Sequence, residues 1–325
     1  MTTITVGRTT LPVTNLDKVL YPATGFTKGD VLAYYQAISP VMLPHLARRP
    51  VTMKRYPDGV DGLSFYEKRC PSKRPAWVRD ATVASTSHGE LTFCTVDNVQ
   101  TLLWMANRAA LEYHTYLYRD GHEDEPTMLV FDLDPGEPAT LLDCLELGLV
   151  LRDLLRDVGL ESFPKTSGGK GLHLGVPLRG ATFAQTKTLA RAIAELLARE
   201  HPQRVTSRMA KSERRGRVLV DWSQNDHGKT TACAYTLRAR ARPTVSAPVG
   251  WDEVAEAKRK RKPERLVFET PQVLARVEEL GDLFAPTLSL RQRLPALPDR
   301  LPRVIWSSTC QAPDGTVLAD RKSVV

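Results

Sequence analysis

"MLVFDLDP", residues 128–135, decides how the rest of the chain is read. Side chains of a β-strand alternate with period two, so Leu129, Phe131 and Leu133 share one face and Asp132 and Asp134 share the other. Carboxylates two residues apart on a strand lie roughly 6.5–7 Å apart at Cα and repel each other unless a cation sits between them. A core-like strand that ends in two such acids points to a divalent metal held through hard oxygen ligands.

A third acid fits the pattern. In "RVLVDWSQN" (217–225) Val218 and Val220 share one strand face, while Leu219 and Asp221 share the other, so a carboxylate again ends an apolar run. Any one of these acids could simply cap a strand. Three in one chain argue for a site, because Asp is disfavoured in strands. Three strand-borne acids can hold two Mg²⁺ or Mn²⁺ ions and so position an attacking oxygen and a leaving pyrophosphate.

Around these acids the periodicity predicts a helix over 28–46, strands near 48–57 and 63–68, and a helix from 98 that runs to about His114. Beyond "MLVFDLDP" come a helix over 139–160 closed by Gly159, a strand over 161–166, the loop "SGGKG" and a strand over 172–178. A helix over 183–201 and strands in "RVLVDWSQ" and "CAYTLRARA" follow. "RPTVSAPVG" (242–250) reads as a connector, "KRKRK" (258–262) as part of a helix, and the chain from Pro286 as a Pro-rich segment that wraps or dangles. Strand, helix, paired strands, helix and strand make an α+β core of RRM-like or split-βαβ type, with a central, mainly antiparallel sheet flanked by helices and its acids on one sheet face.

The chain has 325 residues, 42% hydrophobic and 25% charged, which is ordinary globular composition. Forty-five Lys and Arg against 37 Asp and Glu give a net charge of +8, which suits a polyanionic partner. Five cysteines, at 70, 94, 144, 233 and 310, lack zinc-ligand spacing and read as reduced thiols of a soluble cytoplasmic protein with no membrane partner.

"KTSGGKGLHLGV" (165–176) is a candidate phosphate loop. Gly168, Gly169 and Gly171 allow backbone N–H groups close to an oxyanion, Ser167 offers a hydroxyl and Lys170 a point charge. A Walker A loop is excluded, because Leu172 follows Gly171 and opens a strand rather than a helix. His173 enters that strand beside the loop. His114 and Arg238 are weaker candidates, since a histidine at a helix end is usually a cap and a strand arginine is usually solvated. "KRYPDG" (54–59) has three residues between Lys and Asp, the wrong spacing for the Lys-x-Asp-Gly nucleotidylation motif, so ligation is not expected.

Taken in order, "TNLDKVLYP", "TKGDVLAYY", "RRPVTMKRYPDG", "FYEK", "LEYH", "FDLDP", "SGGKGLH" and "VDWSQN" closely resemble the polymerase domain of bacterial ligase D. That domain is a primase-polymerase of the archaeo-eukaryotic primase superfamily used in non-homologous end joining. The resemblance spans roughly residues 10–290 and implies a primase-like fold over 1–290. A DNA- and 5′-phosphate-binding part would occupy about 1–95 and the catalytic core 96–290, ahead of a Pro-rich extension over 291–325.

It also implies roles. Asp132, Asp134 and Asp221 would form the catalytic, metal-binding triad, with Mn²⁺ or Mg²⁺ as cofactor and two ions in the site. His114, Ser167, Lys170, His173, Gln224 and Arg238 would bind an NTP or dNTP, and Asn15, Lys18, Lys28 and Lys54 a downstream DNA 5′-phosphate. Phe65 and Tyr66 would stack on template bases, worth about 1–3 kcal/mol per base. The expected partners are gapped, nicked or broken DNA, nucleoside triphosphates, a Ku-like end-binding protein and a separate DNA ligase. No ligase or nuclease motif follows, so a stand-alone polymerase acting at the bacterial nucleoid is expected. The competing readings are a non-catalytic DNA-end-binding module and a metal-dependent phosphodiesterase.

Overall fold

The computed structural model describes residues 2–85 and 89–295. Most of the Pro-rich extension, Cys310 included, therefore lies outside the described residues. The chain begins with the hairpin β1 (Thr2–Val6) and β2 (Thr9–Val13), then β3 (Val19–Tyr21), β4 (Phe26–Thr27) and helix α1 (Lys28–Leu46). Strands β5 (Pro50–Arg55), β6 (Phe65–Glu67), β7 (Asp80–Ser85) and β8 (Gly89–Thr95) precede helix α2 (Val99–Asn107) and strand β9 (Ala110–Tyr116). Next come β10 (Met128–Pro135), α3 (Leu141–Asp157), β11 (Phe163–Thr166), β12 (Leu172–Pro177) and α4 (Phe183–Glu200). The chain continues through β13 (Val205–Thr206), β14 (Val218–Asp221), β15 (Thr230–Ala232), β16 (Leu237–Ala239) and β17 (Pro243–Val245). Helices α5 (Trp251–Arg259), α6 (Thr270–Leu280) and α7 (Pro286–Ser289) close it.

Local chemistry sets the helix starts. Thr27 accepts from the Asp30 N–H at 3.2 Å while Asp30 accepts from the Thr27 N–H at 2.8 Å, a reciprocal cap that begins α1. Thr182 and Gln185 do the same for α4.

Two sheets carry the fold. One has the order β11-β12-β10-β14-β13, antiparallel except for the parallel β13–β14 edge. Leaving out that edge strand, the chain order β10-α3-β11-β12-α4-β14 gives the sheet order β11-β12-β10-β14, the expected RRM-like arrangement. Helix α3 packs on the Leu133 side of the sheet, so close that a Cβ on Gly148 would come within 2.6 Å of Leu172. The opposite face, which carries Asp132 and Asp134, is left free of helices α3 and α4. The second sheet has the order β15-β9-β5-β8-β7, with β6 paired to β5. One hydrophobic cluster running from Val6 to Phe284 includes Met53 and Tyr113 of this sheet and Phe131 and Leu174 of the other.

Several expectations are corrected. The helix read from 98 to 114 stops at Asn107, and His114 lies inside strand β9 rather than at a helix end. Ala109 breaks the helix with φ +59, and "LEYHTY" then alternates polar Glu112 and His114 with apolar Leu111 and Tyr113, a strand pattern. "CAYTLRARA" is not one strand: β15 ends at Ala232 and β16 begins at Leu237, with Tyr235 at φ +68 in the bend between them. The connector 242–250 contains β17, and α5 ends at Arg259, so most of "KRKRK" lies past the helix. Cys70 and Cys94 are joined by a disulfide rather than being free thiols. The segment before β7 folds back so that the Cys70 N–H donates to the Thr92 carbonyl at 2.7 Å, a contact between distant residues that no CxxC spacing announced. Cys144 and Cys233 are free and buried. No helix among the described residues is long and apolar enough to cross a membrane.

Asn225 locks the register of the first sheet. Fully buried, it accepts from the Val130 N–H at 2.8 Å and donates to the Val130 carbonyl at 2.7 Å and the Trp222 carbonyl at 3.1 Å. It thus continues the β10 ladder where β14 ends. Asn225→Ala would leave both Val130 groups unpaired in the interior, at roughly 1–3 kcal/mol per group. We expect a loss of about 2–4 kcal/mol in the unfolding free energy, read from urea titrations; an unchanged midpoint would refute this role.

Candidate active site

Strand register draws the chemistry into one row. On four adjacent strands Lys165 stands opposite His173, His173 opposite Asp132, and Asp132 opposite Asp221. Directly paired residues project to the same face, so one cation, one imidazole and two carboxylates line up across the sheet. Asp134, two residues beyond Asp132, joins that face from the next row, where it pairs with Leu219.

Each member has identifiable partners. His173 Nε2 lies 3.3 Å from Asp132 Oδ1. Burial pushes the Asp132 carboxyl up, and the charges of Asp221 and Asp134 push it further, to about 7. Asp134 turns toward Arg214 at 3.2 Å. Asp221 accepts from the Ser223 hydroxyl at 2.6 Å and from Gln224 Nε2 at 3.1 Å. Lys165, the buried first member of the row, donates to His173 Nδ1 at 3.0 Å and to Ser246 Oγ at 2.8 Å. An ammonium donating to Nδ1 leaves the ring proton on Nε2, aimed at the acids. Burial lowers the Lys165 ammonium to about 7, with Arg238 adding to the effect.

The glycine loop closes over the acids. Gly168 has φ +69, and a Cβ there would meet Val245 O at 2.7 Å; a Cβ on Gly171 would meet Leu133 O at 2.5 Å. Both positions therefore require glycine. Ser167 Oγ accepts from the Gly171 N–H at 3.0 Å, and Arg238 donates to the Ser167 carbonyl at 2.7 Å. Lys170 is paired with Glu137 at the rim.

His173 and Asp132 of the row, with Asp134 and the loop residues Ser167, Lys170 and Gly171, line an open cleft of about 810 Å³, whereas Asp221 and Lys165 are not part of its lining. Of the candidate residues, Asp132, Asp134, Ser167, Lys170, His173, His114, Gln224, Arg238 and Tyr66 line it. On its other wall His114 bonds Glu112 at 2.9 Å, and Glu112 approaches Arg238 at 3.4 Å and accepts from the Ala239 N–H at 3.0 Å. Burial alone would raise the Glu112 carboxyl, but His114 and Arg238 overcome it and hold it at about 2. Burial pushes the His114 imidazole down, against the pull of Glu112.

Asn15, Lys18 and Lys28 gather at the N-terminal turn. The Lys18 N–H donates to Asn15 O at 3.1 Å and the Lys28 N–H to Lys18 O at 2.8 Å. Burial, then the Lys18 charge, lowers the Lys28 ammonium, while Lys18 itself pairs with Asp58 at 2.8 Å. The Lys54 ammonium lies over the Tyr56 and Tyr66 rings. Tyr66 and Phe65 are 57% and 45% exposed but point to opposite faces of β6, Tyr66 into the cleft beside His114 and Phe65 against Arg55.

Sequence reasoning missed Lys165, Glu112, Arg214 and Arg240. Arg240 shares the cleft with Arg238, a spacing of two that "LRAR" displays. Lys165 and Glu112 became visible only through cross-strand pairing.

The donor chemistry suits a hard divalent cation, since three carboxylates reach one sheet face and the mutual repulsion that raises Asp132 is what a cation relieves. Among the described residues, no three His, Cys, Asp or Glu side chains are closed around a common point. Arg214 and the Ser223–Gln224 pair draw Asp134 and Asp221 outward, so binding would need those side chains to turn.

An RRM-like sheet with acids on its open face, a glycine loop beside them and a basic cleft define an α+β protein with an RRM-like core. Residues 27–284 match the family model of the LigD primase-polymerase domain, and the chain belongs to that family. It is 45% identical over 277 residues to the multifunctional non-homologous end joining protein LigD of Mycolicibacterium smegmatis, covering 84% of this chain and 35% of that protein. It is 33% identical over 246 residues to the bifunctional LigD of Bacillus subtilis, covering 75% of this chain and 39% of the relative. The chain thus spans little more than a third of the length of these relatives. Its structure superposes on the polymerase domain of Mycobacterium tuberculosis ligase D, solved in complex with DNA, with a TM-score of 0.80 and 43% identity over 86% of this chain and 98% of that one.

The Glu112 network makes a pH prediction. A carboxyl held below its unfolded value contributes stability above about pH 4.5 that is lost as the pH falls toward 2. Glu112→Gln removes this contribution, on the order of 3 kcal/mol. Urea midpoints from pH 7 to pH 2.5 should therefore fall less steeply in the variant than in the wild type; parallel curves would contradict the assignment.

Proposed function

We propose that the protein is a metal-dependent, template-directed nucleotidyltransferase that fills gaps or extends ends at DNA breaks. The single observation that supports this most is the cross-strand row Lys165–His173–Asp132–Asp221, with Asp134 beside it, of which His173, Asp132 and Asp134 face an open basic cleft together with the glycine loop. In this reading Asp132, Asp134 and Asp221 hold Mn²⁺ or Mg²⁺. The ions supply Lewis acidity to the primer 3′-OH and to the transferring phosphoryl.

The chain's own residues do the rest. His173, its proton fixed on Nε2 by Lys165, donates to a phosphate oxygen of the incoming NTP or dNTP. Ser167, Gly168 and Gly171 offer short backbone to the phosphates, and Lys170 swings from Glu137 to meet them. Arg238 and Arg240 neutralise the outer charge, Gln224 steadies Asp221, and His114 with Glu112 keeps Arg238 in place. Tyr66 is open to stack on a template base, with Phe65 exposed behind it. Asn15, Lys18, Lys28 and Lys54 take the downstream 5′-phosphate. Ribonucleotide preference, recruitment by a Ku-like protein and sealing by a DNA ligase belong to the same proposal.

Primer extension on a gapped duplex with Mn²⁺ and labelled nucleotides tests the reading. Asp132→Ala should abolish extension while duplex affinity changes by less than about threefold, as expected for a residue away from the phosphate backbone contacts. Extension at the normal rate by this variant would sink the triad assignment, and shortening of the strand without added nucleotide would favour hydrolysis instead.

For the phosphate pocket, Lys18→Ala should weaken binding to a 5′-phosphorylated gap more than to its 5′-hydroxyl counterpart. The slope of log affinity against log salt should fall by about one. Equal losses on both substrates would argue for a general electrostatic surface.

A further inference from the structure

A second cavity, of about 210 Å³, shares no lining residue with the catalytic cleft. Its walls carry Arg49, Arg119, Arg179 and Arg291, together with His122 and Glu125. These come from the turn before β5, the connection between β9 and β10, the end of β12 and the chain after α7. A smaller apolar space lies between the two cavities, touching Arg49 on one side and Lys165 and His173 on the other.

Here positive charge is gathered without being neutralised. Arg49 is buried, and it donates to the Tyr116 carbonyl at 3.2 Å, the Tyr118 carbonyl at 3.1 Å and Thr127 Oγ1 at 2.7 Å. Arg119 donates to the Ala47 carbonyl at 3.1 Å and Arg291 to the Leu288 carbonyl at 2.8 Å. All of these acceptors are neutral, so they orient the guanidinium groups but cancel no charge. None of the four arginines forms an ion pair with a carboxylate among the described residues. Glu125, the acid on the wall, has His122 as its ionic neighbour at 3.8 Å. The strain shows in the titration. Burial, then the charge of Arg119, pushes Arg49 down to about 10, and burial with Arg48 and Arg291 pushes Arg119 down as well, against the smaller pull of Asp97.

A buried guanidinium with no counter-charge, joined by a half-buried and two exposed ones around the same cavity, is a setting that an anion stabilises. Four arginines against one acid on the wall favour an oxyanion with several acceptor oxygens. A phosphate group, free or as a backbone diester, has unesterified oxygens that accept from more than one arginine fork at once, whereas a carboxylate pairs with a single fork. The cavity is several times the roughly 30 Å³ that one water occupies in the liquid, so a phosphate group has room.

We propose that this arginine-lined cavity is a second phosphate-binding site, separate from the nucleotide cleft and from the Asn15–Lys18–Lys28 pocket. The phosphate is either free in solution or part of a DNA backbone that passes over this side of the molecule, and two measurements distinguish the sources.

Arg179 and Arg291 are both exposed, so R179A/R291A removes charge from the rim without opening the core. R156A/R199A, on exposed positions of α3 and α4, removes the same charge elsewhere. The first measurement is the thermal midpoint in inorganic phosphate against sodium chloride of equal ionic strength. A free-phosphate site raises the midpoint in phosphate for the wild type and for R156A/R199A, and R179A/R291A abolishes the rise. The second is the affinity for a blunt duplex with 5′-hydroxyl ends, measured across salt concentrations. A backbone site gives R179A/R291A at least a fivefold weaker affinity than R156A/R199A and a salt slope smaller by about two. Either result supports the site and names its source. If R179A/R291A matches R156A/R199A in both measurements, the proposal is overturned.

Discussion

The arrangement depends on the antiparallel register of β10 with its two neighbours. Because Asp132 stands directly opposite both His173 and Asp221, the sheet sets an imidazole and a second carboxylate beside it at cross-strand pair spacing, where side chains are closest. A slip of one residue would turn the acids into the helix-packed face and Leu133 into the cleft. The devices that prevent a slip lie close by. Asn225 completes the ladder past the end of β14, Gly171 lies against the Leu133 carbonyl, and Leu129, Phe131 and Leu133 are fully buried on the far side.

Electrostatics explain why this stretch is surrounded by basic groups. Asp132 sits between two other acids in a partly buried setting, and its carboxyl is pushed up accordingly. The charges that answer it are layered. Lys165 begins the row beside His173, Arg214 holds Asp134 at the edge, and Arg238 bridges the Ser167 carbonyl and Glu112 across the cleft. Lys165 is notable for having no carboxylate of its own among the described residues; its neighbours are a neutral ring nitrogen and a hydroxyl. A buried ammonium in that setting fixes which nitrogen of His173 carries the proton, a positioning role rather than a contact with the reacting atoms.

Much of the fold was legible because local patterns and tertiary packing agree. The helix over 28–46, the strand over 128–135 and the paired strands around "SGGKG" lie where periodicity and glycine placed them. The errors share one cause. Leu102, Leu103, Ala106, Ala109 and Ala110 continue a helical spacing past Asn107, yet the chain bends at Ala109 into a strand buried on both faces. The helical spacing that runs up to the bend masked the two-residue alternation of Glu112 and His114 that begins just after it. The disulfide between Cys70 and Cys94 was hidden for a related reason: it joins a loop to a strand that only the folded sheet brings close.

What the sequence determined by itself was the chemistry available: three strand-ending acids, a glycine loop with Ser167, Lys170 and His173, an excess of positive charge, and an order of motifs specific enough to name a family. Such features survive in one dimension because each depends on residues a few positions apart. Tertiary structure alone decided which distant groups became partners. It set Lys165 beside His173, tied Glu112 to Arg238, and gathered arginines from four segments around a single cavity. Hydrogen-bond register between strands and the packing of remote segments fix these contacts, and neither leaves a periodic trace along the chain.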